Sequence, residues 1–186
     1  FGEINILHNN AADKSQDLDA FFAPFEEYQI ETWKEIMSVN IDGMFFVAQA
    51  VGKQLLKQGK GGSIIQTSSI YGVVAPDHRI YAGSFYLDRE INTPAVYSAS
   101  KAAVIGLTKY LATYWSDKNI RVNTLTPGGS ESGQNNQFNS LYSARVPMGR
   151  MANPVEMVGA LLYLASDAAS YVTGQNLIVD GGLSAW

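Results

Sequence analysis

Short apolar runs that stop abruptly at small polar residues, each followed by helical periodicity, constrain this chain more than any other feature. Residues 4–8 (Ile4-Asn5-Ile6-Leu7-His8) break off at Asn9-Asn10, and Ser63-Ile64-Ile65-Gln66-Thr67 runs into Ser68-Ser69. Ile120 to Thr126 stops at Pro127-Gly128, and Asn176 to Val179 is bounded by Gly174 and Gly181-Gly182. Apolar runs this short, bounded by turn residues, read as buried strands. Between the first two, Trp33, Ile36, Met37, Phe45, Val47, Val51 and Leu55 recur near helical spacing over about 31–57, until Gly59-Lys60-Gly61-Gly62 ends the helix. Further helices are expected over about 95–116, 135–144 and 154–166, the last with Asn153 as N-cap and Pro154 in its first position. Strands alternating with helices imply an α/β fold, doubly wound: a parallel sheet, right-handed crossovers and helices on both faces. The 186 residues suit a single domain.

In such a sheet ligands bind beyond the carboxyl ends of the strands. The residues found there, Asn9-Asn10-Ala11-Ala12, Thr67-Ser68-Ser69 and Thr126-Pro127-Gly128-Gly129, are small and polar, and leave a ligand room to approach the backbone. A small-molecule substrate is therefore expected. A net charge of -4 argues against nucleic acid and against anionic membrane surfaces as partners. No apolar run is long enough to span a bilayer, and no signal peptide is visible. With no cysteine there is neither a disulfide framework nor a thiolate metal site, which fits a cytoplasmic protein, and no metal centre is expected.

The chemistry centres on Tyr97 and Lys101 in Tyr97-Ser98-Ala99-Ser100-Lys101. Residues four apart share a helix face. A free phenol has a pKa of about 10, and a neighbouring ammonium lowers it toward a useful general acid or base. Ser69 is placed to hydrogen-bond the same substrate oxygen. With ten tyrosines a Tyr-x-x-x-Lys pair also arises by chance, and Tyr114/Lys118 is a second one. It falls roughly 25 Å further along the helix at 1.5 Å per residue, at the end of the sheet away from ligand, and reads as structural.

Taken in order, Asn9-Asn10-Ala11-Ala12, Val39-Asn40, Thr67-Ser68-Ser69-Ile70-Tyr71-Gly72, Tyr97/Lys101, Arg121-Val122-Asn123 with Pro127-Gly128, and Val179-Asp180-Gly181-Gly182 resemble the short-chain dehydrogenase/reductase family over nearly the whole chain. The resemblance implies a Rossmann-like fold and an NAD(P)-dependent oxidoreductase that moves a hydride between NAD or NADP and a carbonyl/alcohol substrate, with a sugar or sugar-nucleotide as the narrower expectation. It implies a catalytic tetrad of Asn40, Ser69, Tyr97 and Lys101. In it Tyr97 is the acid/base, Ser69 the ligand of the substrate oxygen, Lys101 the group that tunes Tyr97 and binds the nicotinamide ribose, and Asn40 the holder of a water. Asn40 has an alternative: satisfying a neighbouring backbone group. For the cofactor, the resemblance places Asn10 and Ala11 near the adenosine ribose and Pro127, Gly128, Ser130 and Ser132 around the nicotinamide carboxamide. It also implies a homodimer or homotetramer. Small residues along the Tyr97 helix (Ser98, Ala99, Ala102, Ala103 and Gly106) suit either core packing or such a subunit contact.

Two departures stand out. Ser69 and Tyr97 are 28 positions apart, about twice the family's usual spacing, so residues 76–94 read as an insertion. Lying between two catalytic residues, it is expected to overhang the site as a substrate lid, with Arg79 or Arg89 facing an anionic group, or else to be a solvated surface loop. The segment and its flanks also resemble short-chain reductases of bacterial surface-sugar and flagellin-glycan pathways. Second, the family's glycine-rich pyrophosphate turn is not found: Gly59–Gly62 precedes a strand and Gly128–Gly133 belongs to the nicotinamide end. The chain, which opens on Phe1 almost directly into a strand, therefore reads as N-terminally incomplete, lacking the first strands of the fold. On that reading these residues alone would not turn over. The alternatives are a non-catalytic fragment serving as an interaction domain, and a nucleotide-sugar epimerase or dehydratase, for which the short C-terminal region leaves little room.

Overall fold

The computed structural model describes residues 2–186. Strand β1 (Ile6–Asn9) leads to a single helical turn α1 (Leu18–Phe21) and to helix α2 (Ile30–Met37). A π-helical segment, Ser38–Gly43, joins α2 to α3 (Met44–Gln58). After β2 (Gly62–Thr67) come a short hairpin, β3 (Phe85–Tyr86) and β4 (Arg89–Glu90), and the long helix α4 (Ala95–Tyr114). Strand β5 (Ile120–Pro127), helices α5 (Asn136–Ser143) and α6 (Glu156–Ala165), and β6 (Asn176–Val179) complete the order. The main sheet has the order β1-β2-β5-β6, with every pairing parallel. The expected α/β class, the four strands and the parallel sheet are all present.

The alternation of side chains along the strands assigns the two faces. Ile64 and Val122, partners in register, point to one face and pack with Ala48 and Leu55 of α3 and with Leu111, Ala112 and Trp115 at the end of α4. Ile65 and Leu125 point to the other, where Leu164 of α6 covers them. Gly52 admits the first packing: a Cβ there would stand 2.4 Å from the Trp115 ring. One row of the sheet is polar. Asn9, Gln66 and Thr124 lie side by side in register and are buried. Gln66 accepts from Asn9 Nδ2 at 3.3 Å and donates to the Thr108 hydroxyl of α4 at 3.5 Å, and Thr124 donates to that hydroxyl at 2.8 Å. Asn9 Nδ2 also donates to the Met44 carbonyl at 2.9 Å, so the row reaches both helices on that face.

Two expected elements take a more specific form. The helix expected over 31–57 is interrupted at 38–43 by the wider π turn, and Asn40, fully buried, sits in it. At the start of α6, Asn153 Oδ1 accepts from Val155 N–H at 3.1 Å while Glu156 accepts from Asn153 N–H at 2.8 Å, a reciprocal capping box ahead of the first regular turn. β1 is an edge strand among the described residues, with Ile6 52% exposed.

Residues 76–94 have structure of their own. Asp77 opens a 3-10 turn over His78–Tyr81, accepting from Arg79 N–H at 3.1 Å. The β3/β4 hairpin turns on Leu87 and Asp88, both at positive φ (49° and 59°), the backbone of a two-residue primed turn. Tyr81 stacks on Phe138 of α5, and Gln137 Nε2 donates to the Ala82 carbonyl at 2.9 Å, so the base of the segment is fastened to α5.

Candidate active site

β2 ends at Thr67, and the chain turns through Ser68 and Ser69 into a single 3-10 turn, Ile70–Gly72. That turn packs on the first part of α4. The Ser68 hydroxyl donates to the Lys101 carbonyl at 2.7 Å, and a Cβ on Gly72 would stand 2.6 Å from the Lys101 carbonyl carbon. Ser69 and the Tyr97/Lys101 face of α4 are thus held together by backbone contact rather than by long side chains. Pro94 precedes α4 with extended backbone, and the Tyr97 N–H donates to its carbonyl at 3.0 Å, placing Tyr97 in the first turn.

Ser69, Tyr97 and Gly128 line one cavity of about 290 Å³, with Lys14, Tyr71, Tyr81, Tyr142 and Met151. Lys101 lies behind it, 3% exposed, its ammonium 5.8 Å from the centre of the Tyr97 ring and donating to the Thr67 carbonyl at 3.2 Å. Burial lowers its pKa to about 8. Burial also pushes the Tyr97 phenol above its ordinary value, and the Ser69 hydroxyl pulls it partly back. The expected lowering of the phenol by the lysine is not the direction in this geometry. Desolvation dominates because the phenol is enclosed, while the ammonium is turned to the Thr67 carbonyl.

The other expected site residues are spread along the strand ends. Asn40 accepts from the Asp13 N–H at 2.8 Å and donates to the Ser100 hydroxyl at 3.2 Å, tying the loop after β1 to the first turns of α4. Its side chain does satisfy a backbone group. Asn10 and Ala11 are exposed just beyond β1, outside the cavity. Gly128 follows Pro127 at the end of β5, pressed so closely on Asp180 that a Cβ would meet its Cα at 2.7 Å. The Ser130 hydroxyl donates to the Ala152 carbonyl at 3.3 Å, and Ser132 is exposed. Arg79 and Arg89 do not face the cavity. Arg79 is held by both oxygens of Asp77 at 2.8 Å, and Arg89 pairs with Asp19 at 2.6 Å, because each finds a carboxylate near the surface first. Tyr114 and Lys118 are not partners either: Tyr114, 62% exposed, stacks on Tyr110, and Lys118 pairs with Asp117.

Several lining residues escaped the sequence reading. Tyr71, Tyr81 and Thr93 share a chain of hydroxyl contacts on the side of the insertion. In the same packed cluster the Tyr142 hydroxyl accepts from the Gly129 N–H at 2.6 Å, possible because Gly129 has no Cβ; one would meet the tyrosine ring at 2.4 Å. The spacing of Phe138 and Tyr142 on a short helix signals burial, but nothing local says that they face a ligand. The cavity they complete is walled by aromatic rings carrying hydroxyls, a surface that packs the carbon skeleton of a ligand and bonds its oxygens.

Comparison with known proteins agrees with this topology and these motifs. A family model described as enoyl-(acyl carrier protein) reductase matches residues 1–184. The D-arabinitol 2-dehydrogenase (ribulose-forming) of Candida tropicalis is 39% identical over 171 residues, 88% of this chain and 56% of its own length. Among solved structures, a short chain dehydrogenase from Leptospira borgpetersenii with bound NAD+ superposes with a TM-score of 0.86 at 39% identity, over 97% of this chain and 65% of that one. A gluconate 5-dehydrogenase from Burkholderia cenocepacia in complex with NADP and tartrate gives 0.84 at 34% identity, over 100% and 66%. The chain thus spans less than two thirds of the length of each of these relatives. On its ordered motifs, its parallel sheet and a family match along almost its whole length, this chain belongs to the short-chain dehydrogenase/reductase family.

Proposed function

We propose that the protein is an NAD(P)-dependent oxidoreductase of small hydroxylated substrates, interconverting an alcohol and a carbonyl of a sugar or polyol. The observation that carries this reading is the convergence of Ser69 and Tyr97 on one cavity, with Lys101 buried directly behind. The relatives' names add the substrate class: arabinitol and gluconate are both polyhydroxylated chains.

The residues present fit a nicotinamide at this end of the sheet. The Lys101 ammonium has three donors and, among the described residues, one acceptor, the Thr67 carbonyl. Donors remain for a ribose diol at the carboxyl end of β2. Asn10 and Ala11 would lie along the adenosine ribose, and Pro127, Gly128, Ser130 and Ser132 around the carboxamide. The bound nicotinamide supplies or takes up the hydride. Tyr97 transfers the proton, its hydroxyl giving it to the carbonyl oxygen in reduction and receiving it in oxidation. Ser69 donates a hydrogen bond to the same oxygen and stabilises the charge that develops there. Lys101, its ammonium 5.8 Å from the centre of the Tyr97 ring, is turned to the Thr67 carbonyl and is poised for the ribose rather than for lowering the phenol. Asn40 is a positioning residue, fixing the loop after β1 against α4.

Because the chain spans less than two thirds of these relatives' length, hydride transfer is proposed for the whole protein rather than for these residues alone. Titration calorimetry with NADH and NADPH on this chain and on the full-length protein tests that division. None of the described helices is long and apolar enough to cross a membrane. A cytoplasmic location is the reading that best suits the absence of cysteine. Exposed Phe45, Phe46, Tyr110 and Tyr114 on α3 and α4 suit a homo-oligomer contact.

The deciding experiment compares Tyr97→Phe with Tyr114→Phe in the full-length protein. Loss of general acid/base catalysis should lower kcat by about 10²–10⁴-fold in Tyr97→Phe. Tyr114→Phe should keep kcat within about twofold, since its ring is on the surface far along the helix. A Tyr97→Phe enzyme of near-normal rate would remove the proposed mechanism.

A further inference from the structure

The named relatives include both neutral polyol and sugar-acid dehydrogenases, and the family motifs do not choose between them. One side chain that lines the cavity bears on the choice. Its lining contains serine, threonine and tyrosine hydroxyls, amides, apolar side chains, a single cation and no carboxylate. That cation is Lys14, from the loop after β1, outside the family motifs and outside the insertion where a cation was expected. No carboxylate among the described residues pairs with its ammonium. The carboxylate adjacent in sequence, Asp13, accepts instead from the Lys14 backbone N–H at 2.8 Å. The ammonium rests 3.9 Å over the centre of the Tyr86 ring, in hairpin strand β3. A cation on an aromatic face is attracted and positioned by the ring, and its remaining N–H donors stay available on the side away from the ring.

We propose that Lys14 determines specificity by pairing with a carboxylate at the far end of the substrate chain, so that the enzyme prefers aldonic or keto-aldonic acids to neutral polyols. The inference rests on the hydride-transfer reading for its reaction, while the charge contact itself does not. A carboxylate suits the cavity better than a phosphate ester. A single lining ammonium balances a single negative charge, and the nearby guanidinium groups are already paired, Arg79 and Arg145 with Asp77 and Arg89 with Asp19.

The test uses the full-length protein and pairs of four- to six-carbon aldonates and alditols of the same configuration, with a phosphorylated alditol as third arm. The expected result is a kcat/KM at least tenfold higher for the aldonate of the best pair. Lys14→Gln should erase the preference through a roughly tenfold rise in aldonate KM, leave the alditol within twofold, and leave kcat unchanged. Lys14→Arg should restore most of the preference. Equal losses on both members, a wild type indifferent to the carboxylate, or a preference for the phosphate ester would each overturn the proposal. Calorimetry with tartrate in the absence of cofactor reads the contact without turnover. Binding weakened about tenfold by Lys14→Gln supports it, and binding unchanged by the substitution, or undetectable in the wild type, overturns it. Should tartrate binding depend on Lys14 while no pair reacts, hydride transfer falls and the anion site stands.

Discussion

At the scale of single residues the most consequential group is Lys101, a charge buried where a solvated one would be cheaper. Its ordinary pKa of 10.5 describes the unfolded chain, and burial brings it to about 8 in the fold. Below pH 8 both states carry the proton and the full penalty of burying it opposes folding. Between pH 8 and 10.5 the folded state sheds the proton first and the penalty shrinks; above 10.5 it is gone. Lys101→Met should therefore stabilise the protein near pH 7, by up to about 3 kcal/mol from the size of the shift. The gain should fade as the pH is raised toward 10, and turnover should be lost at every pH. Thermal denaturation at pH 7 and pH 9, beside an activity assay, checks both halves. A lysine kept against its own stability is what a functional role predicts. Its partner was legible in the sequence: Tyr97 is marked by its place at the ligand end of a helix, and Tyr114 by its distance from it. The direction of the Tyr97 shift was not legible, because it depends on how tightly the phenol is enclosed. Lys14 was invisible for a related reason: a loop cation has no period, and only the fold says which wall it stands on.

At the scale of elements, the strands and long helices follow from hydrophobic period and end signals, which are local properties. The π turn at Ser38–Gly43 and the hairpin inside residues 76–94 do not. The π turn changes the spacing by a fraction of a turn, within the tolerance of any helical pattern. The hairpin turns on Leu87-Asp88 rather than on the Asn-Gly or Asp-Gly that would have announced it. The joint that most depends on one atom is between the Ile70–Gly72 turn and α4. Gly72→Ala drives a methyl into the Lys101 and Ala102 backbone, with contacts of 2.6–2.8 Å. Backbone cannot yield as a side chain tip does, so a loss of about 1–3 kcal/mol is expected. Because Ser69 and Lys101 sit on the two sides of that joint, kcat should fall with it. Gly43→Ala is the matched control. Its helical backbone and a nearest approach of 3.5 Å accept the methyl, and a gain of roughly 0.5–1 kcal/mol is expected from helix propensity. Urea denaturation of the two variants should move in opposite directions.

At the scale of the molecule, two faces of helix on one parallel sheet could be deduced from the alternation of elements, and family membership from the order of motifs. How the sheet is keyed could not. The central strands of a parallel sheet are ordinarily apolar on both faces, yet Asn9, Gln66 and Thr124 form a buried polar row joined through Thr108 to α4. Thr108→Val alone leaves Gln66 and Thr124 each short of a partner and should cost about 1–3 kcal/mol. Removing the group together, with Gln66→Leu, Thr108→Val and Thr124→Val, should recover much of that loss in denaturant titrations, since only one N–H of Asn9, whose amide keeps the Met44 carbonyl, loses its partner. The row then has a meaning separate from strength. A slip of one residue between neighbouring strands sends every side chain to the opposite face, and an all-aliphatic sheet would register the error weakly. Here it would strand an amide against the apolar underside of α6. The row acts as a parity check on assembly: the aliphatic triple variant should hold its shape nearly as firmly as the natural chain, but refold with more mispaired species along the way.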